Sequence, residues 1–170
     1  MASHARLLLI AVACLAGQRA EPARAATQSA AVQANIIKPL TLTSLQNLDL
    51  GTITLKPGSW TGATVSLSRT GALTCANANV ICSGATRVAQ YNVTGTNKMV
   101  VRITAPDVTL VNSTDPSQTL KMVVDAPASV ALTSSGAPGN NFELGGSITL
   151  SSTTAGGDYT GTFDVIAEYQ

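Results

Sequence analysis

The 170-residue sequence predicts an all-β fold, a sandwich or barrel of short strands. Three observations carry that expectation. Apolar and polar residues alternate along most of the chain, the period of a half-buried strand. Clusters of Gly, Pro, Asn and Asp break the alternation at the close spacing of turns between strands. After residue 25 no stretch combines a helical period with capping residues.

The chain begins with a processing signal rather than with the fold. Arg6 supplies a positive start, "LLLIAVACLAG" (Leu7 to Gly17) is an apolar run too short to span a bilayer, and Ala23-Arg24-Ala25 is a small-x-small cleavage site. Residues 1–25 are therefore expected to leave near Ala25–Ala26, and residues 26–170 to form a single exported domain. No later segment has the length of a membrane helix, so no membrane insertion is expected once the signal is gone.

The strands follow in order. "AAVQANII" places Ala30, Val32, Ala34 and Ile36 on one side and Gln33 and Asn35 on the other; Pro39 interrupts, and "LTL" continues. In "LDLGTITL" the alternation slips by one at Gly51, the mark of a bulge or of a bend between sheets. "KPGS" is a turn, and Ala63, Val65 and Leu67 alternate after it. Ala89, Tyr91 and Val93 form the next strand; "TGTN" turns into "KMVVRITA", with Met99, Val101 and Ile103 inward. "VTLVN" and "TLKMVVDA" flank the turn "STDPSQ", and "ASVAL" reads as a short edge strand. Phe142, Leu144, Ile148 and Leu150 share parity across Gly145-Gly146. The closing segment "GGDYTGTFDVIAEYQ" puts Tyr159, Phe163, Val165, Ala167 and Tyr169 on one face of a long final strand.

The chemistry-bearing residues are few. The only histidine, His4, lies in the signal, which removes the usual base of a nucleophilic triad and the usual nitrogen ligand of a metal. Cys75 and Cys82 then form an even pair, which in an exported chain reads as a disulfide; two thiols alone do not complete a zinc site. Asp164 and Glu168 share the polar side of the last strand, where solvated decoration is the common reason for carboxylates. Residues 26–170 carry seven basic and eight acidic side chains with no run of either sign, so no nucleic-acid partner is expected. Trp60 is either a platform for a sugar or a rim residue over the core, and the rim is the expected role. No enzyme activity and no cofactor are expected.

Both ends of the mature chain carry a resemblance. Tyr169 is penultimate, Gly157 stands fourteenth from the end, and "LDLG" (Leu48–Gly51) lies early in the chain. These features resemble pilin subunits assembled by periplasmic chaperones and outer-membrane ushers. The combination "IIKPLTLTSLQNLDLGTI … GDYTGTFDVIAEYQ" is more closely similar to a family of small secreted proteobacterial proteins, fimbria-like, catalogued as a domain of unknown function. The resemblance implies an immunoglobulin-like, pilin-like β-sandwich lacking one strand, filled by a neighbour's N-terminal extension. Ala30, Val32, Ala34 and Ile36 would then be the donated knobs. Gly157, Tyr159, Phe163, Val165, Ala167 and Tyr169 would form the accepting strand. Other copies or related subunits and a periplasmic chaperone are the implied partners, at the periplasm, cell surface or fimbrium. The alternative is a monomeric surface-binding module with its loops around Trp60 and Cys75–Cys82.

Overall fold

The computed structural model describes residues 25–170. The signal read in residues 1–25 falls, but for Ala25, outside the described residues. Contacts divide the chain into one unit ending at Asn35 and a second, Ile36–Gln170. In the described part of the first unit, residues 25–35, no strand forms and every residue is exposed. Strand structure begins at Thr41, beyond Pro39. An alternating sequence such as "AAVQANII" needs a neighbour to become a stable strand, and periodicity does not supply one.

The second unit is all-β with no helix. Its strands are β1 (Thr41–Gln46), β2 (Thr52–Leu55), β3 (Ala63–Leu67), β4 (Leu73–Thr74), β5 (Val80–Ser83), β6 (Ala89–Thr94) and β7 (Val100–Thr104). They continue as β8 (Val108–Asn112), β9 (Thr119–Asp125), β10 (Ser129–Ala131), β11 (Asn140–Leu150), β12 (Tyr159–Thr160) and β13 (Ile166–Tyr169). All pairings are antiparallel. The main sheet runs β1-β6-β11-β9-β8-β12, with β3 also paired to β11 and β4 to β3; β10-β7-β13 and β2-β5 form two smaller sheets.

The long strand β11 is the spine. Asn140 to Leu144 pair with β6, whereas the following residues pair with β9 on one edge and β3 on the other. Phe142, Leu144, Ile148 and Leu150 are all buried, as their shared parity predicts. The two glycines between them mark the crossing from one set of neighbours to the other. A β-carbon on Gly145 would run into the carbonyl oxygen of Leu67, so only glycine lets the end of β3 lie this close.

Two hydrophobic cores hang from this strand. The first lies between β1-β6-β11 and β10-β7-β13 and contains Val93, Val101 and Leu144, each fully enclosed. The second lies between the second half of β11, with β3, β8 and β9, and the small β2-β5 sheet; Ala63, Val65, Met122, Ile148 and Leu150 are its centre. At Gly51, where the slip of phase leaves a bulge or a bend between sheets as the alternatives, the chain changes sheet. Gly51 takes φ +74°, its N–H donates to Asp49 Oδ1 at 2.8 Å, and β2 then pairs with β5 in another sheet.

The closing segment differs from the single long strand expected. Tyr159 and Thr160 pair with β8, residues 161–165 leave the ladder, and Ile166–Tyr169 pair with β7 in a different sheet. Gly161 packs against the backbone of Thr109, and beyond it the chain crosses from one core to the other. Parity shows which way each side chain points, but it carries no mark of a change of partner.

Candidate functional site

The second core is open along one side. A cleft of about 700 Å³ runs between two stretches of chain, Asn47 to Leu55 on one wall and Thr154 to Phe163 on the other. Its apolar floor is built from Leu110, Leu120, Met122, Ile148 and Leu150, and Tyr91 and Ala89 line it from β6. Each wall carries a strand with one partner. β2 pairs only with β5, and β12 pairs only with β8. The other edge of each strand is unpaired among the described residues. Leu50, Ile53, Leu55, Leu110 and Leu120 are half-buried rather than enclosed.

The wall formed by β2 is held from behind. Cys75 and Cys82 form the expected disulfide, with Cα atoms 6.2 Å apart, and Cys82 sits on β5 directly opposite Ile53. The bond ties this two-stranded sheet to the end of β4 and is consistent with an oxidising, exported location. Trp60 packs on the second core, and its indole N–H donates to Lys56 O at 3.0 Å. The Ser152 N–H and hydroxyl both donate to Trp60 O, at 3.1 and 3.2 Å, joining the turn before β3 to the turn after β11.

The opposite wall is organised by Asn112, which is 1% exposed. Its Nδ2 donates to Gly156 O at 3.1 Å, and its Oδ1 accepts from the N–H groups of Thr114 and Asp115 at 2.9 and 3.2 Å. Gly157 has φ +143°, and a β-carbon there would lie 2.5 Å from Asn112 Nδ2. The glycine fourteenth from the end is thus required by a buried amide on β8. Sequence reasoning missed Asn112. It starts an Asx turn before "STDPS", a legible local signal, but its long-range bond to Gly156 has none. Tyr159 fixes the same wall by donating its hydroxyl to Ala155 O at 2.9 Å.

The structure divides the expected accepting face. Tyr159 and Phe163 line the cleft, whereas Val165, Ala167 and Tyr169 pack against the first core. Phe163 touches both cores. At the end of the first core Tyr169 makes a clamp. Its hydroxyl donates to Lys38 O at 2.7 Å and accepts from Thr96 N at 2.8 Å, while Lys38 N donates to Thr96 Oγ1 at 2.7 Å. Gly95 lies beneath the phenol, where any side chain would displace it. Of the four knobs, Ala30, Val32, Ala34 and Ile36 are all exposed, Val32 at 93% and Ile36 at 83%.

The family model described as "Domain of unknown function (DUF4402)" matches residues 40–169. The chain belongs to this family. The DUF4402 span holds both cleft walls, the disulfide and Tyr169, and the four knobs precede it. No curated protein and no solved structure matches the chain.

Two carboxylates carry a directional shift. The Lys121 ammonium, 2.8 Å from Asp107, hydrogen-bonds its carboxylate and holds it below its ordinary value of 3.8. Hydrogen bonds from the Ser117 hydroxyl and N–H lower Asp115 in the same way. Neither residue lines the cleft, so the shifts belong to the hairpin that carries part of its floor.

Proposed function

We propose that this protein is an exported structural subunit of the cell surface, pilin- or fimbria-like and without enzyme activity. Its immunoglobulin-like sandwich is one strand short, and an N-terminal segment supplies that strand. The observation that carries the reading is a cleft bounded by two unpaired strand edges above a half-buried apolar floor. An inserted strand would satisfy both edges with backbone hydrogen bonds and cover the floor with alternate side chains. Completing the burial of each half-covered leucine or isoleucine stabilises the complex by about 1 kcal/mol. With five such residues the sum is several kcal/mol before the donated side chains are counted.

The donor follows from the pattern. Ala30, Val32, Ala34 and Ile36 form one apolar side of an alternating segment that pairs with no strand among the described residues. An unfilled edge-lined cleft is also an aggregation hazard, which gives a periplasmic chaperone a reason to cover it before assembly. Trp60 favours no sugar-binding alternative, since its indole N–H already has an acceptor and its ring packs on the core.

The test compares residues 26–170 with a form lacking residues 26–37. The longer form is expected to give concentration-dependent oligomers in sedimentation. The shorter form should remain folded but monomeric, and a synthetic peptide of residues 26–37 should raise its melting temperature. A longer form that is monomeric at every concentration, with a shorter form of equal stability that ignores the peptide, would sink the proposal.

A further inference from the structure

We infer that the Tyr169 clamp makes this strand donation obligatorily intermolecular, by tethering residues 26–37 too far from their own cleft to fill it. The inference rests on the cleft taking a strand, as proposed above, and adds whose strand it is and what decides it.

The geometry is a matter of reach. Both backbone polar groups of Lys38 are held, its N–H by the Thr96 hydroxyl and its carbonyl by the Tyr169 phenol. Pro39 restricts Lys38 to extended backbone, and Leu40 packs against the first core. The level of this clamp along the sheet is that of Thr96, two positions beyond the last residue of β6. The residue of β6 nearest the clamp that lines the cleft is Tyr91, followed by Ala89. Five positions separate Thr96, in the bend after β6, from Tyr91, up to about 17 Å at the rise of a strand.

A segment leaving Lys38 toward its own cleft therefore spends about five residues, Ile37 back to Gln33, before it gets in. Ile36 and Ala34 are used on the way. Only Val32 and Ala30 are left to enter, and the remainder, Ala26 to Ser29, has no large apolar side chain. The segment of a second copy carries no such tether, so all four knobs can be seated. One donor and one cleft per chain make a heterologous contact, which propagates into an open array rather than closing a dimer.

Releasing the clamp relaxes the limit. Freed at Lys38, the chain is held first at Thr41, which pairs with Thr94, three positions from Tyr91. Residues 38–40 then cover the gap, and Ala34 and Ile36 come within reach of their own cleft. Tyr169 is thus a positioning residue for the donor and does not itself contact it.

Disulfide trapping on residues 26–170 tests this directly. Ala34→Cys and Leu120→Cys are placed on separate chains and mixed, or combined on one chain at high dilution. Leu110→Cys replaces Leu120→Cys if the latter does not fold. The expected result is a cross-link between chains in the mixture and none within the double variant. Ten Gly/Ser residues inserted after Ile37 should convert the double variant to an internally cross-linked monomer, and Tyr169→Phe should give a measurable internal fraction. An internal cross-link at native length and with Tyr169 intact would overturn the inference while leaving the cleft reading in place. A Tyr169→Phe double variant with no internal product would overturn the role given to Tyr169. Absence of any cross-link in every arrangement, the lengthened one included, would overturn the cleft reading itself.

Discussion

The two cores share one strand and differ in how they are covered. Along the first half of β11, Leu144 is fully buried, and the β10-β7-β13 sheet lies over it with Val101 and Ile103. Along the second half, Ile148 and Leu150 are buried, but the neighbouring Leu110 and Leu120 are only half-covered beside the cleft. The difference is one of edges. The first core is roofed by the three strands of the β10-β7-β13 sheet; the second is roofed by two, β2 and β5, and among the described residues no strand pairs with the other edge of β2. A sheet that stops one strand early leaves apolar surface and backbone donors exposed together, which is the combination another strand recognises.

The contrast can be broken most severely at the closed end. Leu144→Ala is expected to destabilise the protein by about 3–4 kcal/mol, as a fully enclosed leucine does, whereas Leu120→Ala should cost about 1 kcal/mol in the isolated chain. Urea unfolding of both variants lacking residues 26–37 measures this; equal losses would mean that the floor of the cleft is as well packed as the closed core. Gly157→Ala comes next, with an expected loss of about 2 kcal/mol from left-handed backbone and collision with Asn112. The loss should fall with Asn112→Ala in the background, and independent effects would show that the two do not press on each other. The smallest effect is at Asp107. Its carboxylate is held below its ordinary value by Lys121, so the stability it contributes is present above that value and is lost as pH falls through the lowered one. Asp107→Asn should therefore lower the melting temperature slightly at pH 7 and flatten the acid limb, so that variant and parent converge as pH falls below about 3; a larger difference at pH 3 than at pH 7 would contradict this.

Much of the fold was legible because a two-residue period needs no long-range information. The inward faces of β3, β6, β7 and β11 follow from Ala63, Val65, Leu67, Val93, Val101, Ile103, Phe142 and Leu144 read by parity alone. The change of phase at Gly51 was also legible, because a side chain must change face when the alternation slips. The break at residues 161–165 was not, since Tyr159, Phe163, Val165 and Ala167 keep their parity while their neighbours change. The same holds for the site. The expected face of the last segment has both its halves, but Tyr159 and Phe163 serve the cleft and Val165, Ala167 and Tyr169 the closed core.

By itself the sequence determined the class of structure, the inward side of most strands, the Cys75–Cys82 bond and the change of phase at Gly51. All of these are set by local chemistry: alternation, an oxidisable pair, a backbone angle. The tertiary structure alone decided that one core is roofed and the other open, that Asn112 is the reason for Gly157, and that Tyr169 grips Lys38 across 131 positions of chain. Those depend on which edges meet, and pairing of distant edges is fixed by the summed packing of the whole molecule rather than by the pattern along any one strand.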